Sequence, residues 1–142
     1  MRLEPLYRAR FTTPESWSVQ LGGEGQSFLI AEGRCKGRVT GRYRGANYPR
    51  KRSDGTQTPA FRGALETDDG ATILFAWNGY GRAADKAPRQ LVGSMTHVSD
   101  DERYVWMNDA VCAVAGEVRP GESGGLEVVL DVLELVWEPL PE

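Results

Sequence analysis

One histidine, His97, and two cysteines, Cys35 and Cys112, are all the imidazole and thiolate ligands the chain offers a metal. That supply is too thin for a three- or four-ligand zinc site, so no metal is expected. Asp68-Asp69 and Asp100-Asp101-Glu102 lack the alternating spacing of a calcium loop and read as turns. There is no glycine-rich loop ending in Lys-Ser/Thr and no Gly-x-Ser-x-Gly elbow, and no cofactor is expected. No apolar run approaches the ~20 residues of a membrane-spanning helix. The opening Met1-Arg2-Leu3-Glu4-Pro5-Leu6-Tyr7 lacks the apolar stretch of a signal peptide. These absences set the expectation of a cytoplasmic protein with no membrane association, whose two cysteines are reduced thiols.

Amphipathic helical periodicity is also missing, and 17 glycines and 8 prolines argue against a helical bundle. What the chain has instead is period 2. Ile73, Phe75 and Trp77 share one face of segment 71–79. Leu91, Gly93, Met95 and His97 share a face of 89–98, and Tyr104, Trp106, Asn108, Ala110 and Cys112 a face of 104–115. Segments 28–34, 57–67 and 125–137 read as further strands, and 5–12 as an edge-like one. Ser53-Asp54-Gly55, Asp68-Asp69-Gly70 and Gly121-Glu122-Ser123-Gly124 carry turn chemistry between them. The count is about eight strands, all-β, in one domain over residues 1–142.

Charge is uneven along the chain. Eight basic residues and no acidic one fall between Gly33 and Ser53. Arg34, Lys36, Arg38, Arg42 and Arg44 sit on even positions, with mostly small residues on the odd ones. An extended segment there turns a basic face outward and a small-residue face inward. The net charge of −3 and pI near 5.3 argue against a nucleic-acid partner.

Thr67-Asp68-Asp69-Gly70-Ala71-Thr72-Ile73, followed by Tyr104-Val105-Trp106-Met107-Asn108, resembles the bacterial family called domain of unknown function 3237, or uncharacterised protein family 0311. Gly45-Ala46-Asn47-Tyr48, Asp54-Gly55, Leu3-Glu4-Pro5-Leu6 and Val132-Leu133-Glu134 fit the same order and spacing. The resemblance implies a single calycin-like antiparallel β-barrel of about eight strands. Asn47 and Tyr48 stand where relatives carry Asp and Trp. His97 stands where they carry an aromatic residue, and Arg62 matches a frequent basic position.

The candidate chemistry is sparse. His97 lies on an apolar face and is either a general acid/base or a hydrogen-bonded core histidine. Trp77, Trp106 and Asn108 are expected to line one internal pocket with His97, or simply to fill the barrel. Glu134 shares the parity of Leu130 and Val132. It is either an inward carboxylate able to act as acid or base, or the mark of a bulge or strand end. Arg62, with Arg42 and Arg44, is either an anion clamp at the barrel mouth or a solvated face. Asn47 and Tyr48 complete the expected ligand-binding set. The leading expectation is a barrel binding a small apolar or aromatic molecule. Beside it stand a cofactor-independent isomerase, cyclase or lyase working through His97, with Asn108 and Tyr48 polarising an oxygen, and a structural barrel without ligand. A homo-oligomer is compatible with each.

Overall fold

The computed structural model describes residues 1–84, 87–122 and 124–142. Ten strands run in chain order: β1 Arg2–Leu21, β2 Glu24–Gly37, β3 Gly41–Asn47, β4 Arg50–Lys51, β5 Gln57–Thr58, β6 Ala60–Thr67, β7 Thr72–Ala84, β8 Ala87–Val98, β9 Val111–Pro120 and β10 Leu126–Val136. Eight of them form an up-and-down antiparallel circuit, β1-β2-β3-β6-β7-β8-β9-β10, which closes when β10 pairs back onto β1. Where β3 and β6 end, the short β4–β5 hairpin continues the wall by pairing with β2 on one side and β7 on the other. Among the described residues the only helical piece is a 3₁₀ turn at Val105–Met107, and no helix is long and apolar enough to cross a membrane.

The period-2 faces become the inside and outside of this wall. Ile73, Phe75 and Trp77 on β7, and Leu91, Met95 and His97 on β8, are buried. Cys35, Val39 and Tyr43 point in, while Arg34, Lys36, Arg38, Arg42 and Arg44 are exposed. The basic segment is not one strand, however. It turns at residues 37–40 between β2 and β3, where the Thr40 hydroxyl bonds the Gly37 carbonyl and the inward parity carries through. Segment 5–12 is no edge, since β1 is paired on both sides.

Segment 104–115 departs most from expectation. Only its second half is strand. Its first half is the 3₁₀ turn, because Asn108 and Tyr104 find partners that hold the chain in a compact loop. Asn108 accepts the Ser99 N–H through Oδ1 at 2.8 Å and donates to the Ser99 carbonyl through Nδ2 at 2.9 Å. The Tyr104 hydroxyl donates to Asp69 at 2.7 Å, and the Ser99 hydroxyl donates to the Thr72 carbonyl at 2.7 Å. Fully buried Met107 thus plugs one end of the barrel. Of the turn at residues 121–124, Ser123 lies outside the described residues.

The middle of the barrel is a stack of rings. Phe11 lies 4.8 Å from Tyr43, Tyr43 4.7 Å from Phe75, and Phe61 5.5 Å from Trp77. Two glycines make room for it. Gly45 and Gly63 pair across β3 and β6. A Cβ on Gly63 would fall 2.6 Å from Phe75 Cζ and 2.1 Å from the Arg44 carbonyl oxygen, so backbone as well as ring would have to move. Gly63→Ala is expected to lose about 1–3 kcal/mol of stability by overpacking. Urea unfolding checks this, and an unchanged midpoint contradicts the close approach.

Candidate functional site

The two ends of the barrel differ. One end is closed by the loop around Met107. At the other, a cavity of about 120 Å³ opens between the ring stack and solvent. Its floor and apolar walls include Phe11, Phe61, Trp77, Leu91 and Val128. Polar groups line it too, namely Thr13, Asn47, Gln57 and Arg89. Parity explains how they arrive: Asn47 follows Tyr43 and Gly45 on β3, and Arg89 precedes Leu91 on β8, each two residues on from an inward neighbour. Asn47 Oδ1 accepts the Ala60 N–H at 3.0 Å, fixing the amide across the gap between β3 and β6.

Two of the eight residues expected at a site line this cavity, Asn47 and Trp77. Trp77 is fully buried, and among the described residues its indole N–H has no hydrogen-bond partner. The other six lie elsewhere. Tyr48 takes the opposite face from Asn47. It is exposed and stacks on Phe28, which stacks on Trp17, on the outside of the wall. Arg62 likewise points out to solvent, because the inward positions of β6 are Phe61, Gly63 and Leu65. The expected clamp of Arg62, Arg42 and Arg44 is therefore a solvated face, with Arg42 and Arg44 paired to Glu32 at 2.6 and 2.9 Å. Trp106 and Asn108 leave the pocket because their segment is not strand. Asn108 staples its own loop, and Trp106 lies at the closed end with its indole N–H on the Arg103 carbonyl and the Arg38 guanidinium 4.4 Å above its ring.

Glu134 also sits at the closed end, half-buried and 3.1 Å from Arg38. β10 stays in register with β9 as far as Glu134 opposite Cys112, so no bulge resets β10. The irregularity is on the neighbouring strand, where Leu6 is the extra residue between Pro5 and Tyr7 and both Leu6 and Tyr7 are buried. Glu134 marks a strand end at the rim.

His97 points inward as expected but does not line the cavity. It is six residues beyond Leu91 on β8, roughly 20 Å toward the closed end. There its Nε2 is 2.8 Å from the Tyr7 hydroxyl, which also lies 3.0 Å from Met95 Sδ. Burial lowers the His97 pKa to about 4 and raises that of Tyr7, so the pair is neutral near pH 7. Cys35 and Cys112 are buried and unlinked, their pKa values pushed up to about 11 mainly by burial, which makes them inert thiols. No group of three or more His, Cys, Asp or Glu among the described residues could hold a metal.

The model of a family described as a protein of unknown function, DUF3237, matches residues 1–135. The chain belongs to this family. Solved structures agree in fold. A β-barrel like protein from Acinetobacter baumannii superposes with a TM-score of 0.78 at 23% identity over 94% of both chains. A protein with unknown function from Clostridium acetobutylicum gives 0.84 at 18% identity, over 96% of this chain and all of that one. An enzyme from Penicillium herquei gives 0.68 at 19% identity, over 92% and 93% of the two chains. Comparison with curated proteins returns no match. The segments Thr67–Ala71 and Tyr104–Asn108 meet at the closed end through the Tyr104–Asp69 bond.

Arg89, Gln57 and Leu91 are among the cavity residues absent from the set expected at a site. For Arg89 a signal was there, two positions before Leu91 on the same parity. For Gln57 there was none, because its place depends on β5 pairing with β7 at Gly81.

Proposed function

We propose that this barrel binds a small apolar or aromatic molecule in its open-end cavity, with the polar end of that molecule at the mouth. The observation that carries the reading is the cavity itself. It is floored by rings and aliphatic side chains, with a few polar groups, in a barrel whose middle and opposite end are packed. At about 120 Å³ it is close in size to the apolar void of ~150 Å³ that takes benzene, which sets the scale of the ligand at one six-membered ring.

The test uses benzyl alcohol, one ring with one hydroxyl. Titration followed by NMR is expected to show saturable shifts at Phe61, Trp77 and Leu91. Leu91→Phe, which fills the void, is expected to abolish them. Shifts that do not saturate, or that survive Leu91→Phe, count against the reading.

Proton transfer at His97, as in an isomerase, cyclase or lyase, is the second reading. What favours it is His97 Nδ1, buried with no hydrogen-bond partner among the described residues. Against it stand the distance from the cavity and a pKa near 4, well below the range in which a histidine shuttles protons at neutral pH.

A further inference from the structure

The cavity is apolar on most of its wall but carries one charge. Among the described residues that line it, Arg89 alone is ionised, and no carboxylate shares the wall. Its placement is built in. Strand parity turns Arg89 to the same side as Leu91. The Arg89 stem crosses Gly81 on the neighbouring strand, where its Cδ would lie 3.6 Å from a Cβ and Gln57 Cβ 3.5 Å from the same point. Arg89 and Gln57 therefore both lie over Gly81, side by side at the cavity. Asn47 adds a third group. Its Oδ1 accepts the Ala60 N–H, which orients the amide, and its Nδ2 is a donor for a ligand.

Donors therefore outnumber acceptors around an apolar floor. A neutral ligand gives the guanidinium no counterion among the described residues of the wall, whereas a carboxylate matches its planar fork with two oxygens. We propose that the site is selective for a single-ring carboxylic acid in its ionised form, the ring on Phe61, Trp77 and Leu91 and the carboxylate on Arg89. This rests on the reading of the cavity as a ligand site and adds the class of ligand.

The test pairs benzoate with benzamide, nearly the same shape with and without the charge. Both are titrated calorimetrically into the full chain and into Arg89→Gln. Benzoate is expected to bind at least about tenfold more tightly than benzamide to the unaltered protein, the increment of one charge-assisted contact. Arg89→Gln, a change at the mouth, is expected to keep the fold by circular dichroism and bring the two within about threefold of each other. Equal binding of benzoate and benzamide overturns the proposal while leaving the ligand site standing, as does a benzoate preference that survives Arg89→Gln. Failure of both, with benzyl alcohol still bound, overturns the carboxylate preference alone. Failure of all three removes the ligand site and the proposal together.

Discussion

Trp77→Ala is expected to be among the most damaging single substitutions in this barrel, at about 3–5 kcal/mol. The indole is 2% exposed, stacks on Phe61 at 5.5 Å and forms part of the cavity wall. Its removal costs the transfer energy of the ring and leaves a void that a closed wall cannot collapse to fill. In a chain of this length the loss corresponds to a fall in melting temperature of roughly 10–20 °C. The variant carries its own control. The void joins the existing cavity, so added indole is expected to raise the melting temperature of Trp77→Ala far more than that of the unaltered protein. A loss under about 1 kcal/mol, or no response to indole, contradicts the packing described for Trp77.

The second large effect is a dependence on acid. His97 titrates at about 4 in the folded barrel because burial disfavours its cation, against 6.5 for a free histidine. Between those values the unfolded chain holds a proton that the folded chain does not, so stability falls as pH is lowered through this window. The whole shift is worth about 3 kcal/mol, of which about 2 kcal/mol is lost by pH 5, before most carboxylates titrate. Urea midpoints measured from pH 7.5 to 5 should show the decline. His97→Phe should flatten it, and an equal slope in both proteins excludes His97 as its source.

The sequence displayed the barrel more clearly than the site, for a physical reason. A wall with one inside imposes the same alternation on every strand, so Ile73-Phe75-Trp77 and Leu91-Met95-His97 reveal their faces from spacing alone. Alternation does not reveal where a strand begins. Tyr104, Trp106 and Asn108 alternate as a strand would, yet Asn108 and Tyr104 spend their polar groups on Ser99 and Asp69 and make a plug. Nor does parity report height along the barrel axis. His97 and Leu91 share a face of β8 and lie at opposite ends, one packed under Tyr7 and one on the cavity. The wall position of Gln57 depends on a pairing far away in the chain, for which local pattern has no signal. Thr67–Ala71 and Tyr104–Asn108, joined through the Tyr104–Asp69 bond, likewise sit together at the closed end.

The seam between β1 and β10 has a consequence for biogenesis. Arg2 faces Val136 and Phe11 faces Val128 across it, so closure joins stretches well over a hundred residues apart. Such contacts are slow to form, and until they form the sheet presents two open edges to any neighbouring chain. During synthesis the wall cannot close before Val136 has cleared the ribosome. Truncation within β10 should therefore yield insoluble protein. Once the seam is made, residues at its two sides lie side by side, and the Met1 amino group comes within 3.6 Å of Glu138. A circular permutant that links these two stretches and opens the chain between the exposed Ser53 and Asp54 should rebuild the same barrel from a different starting strand.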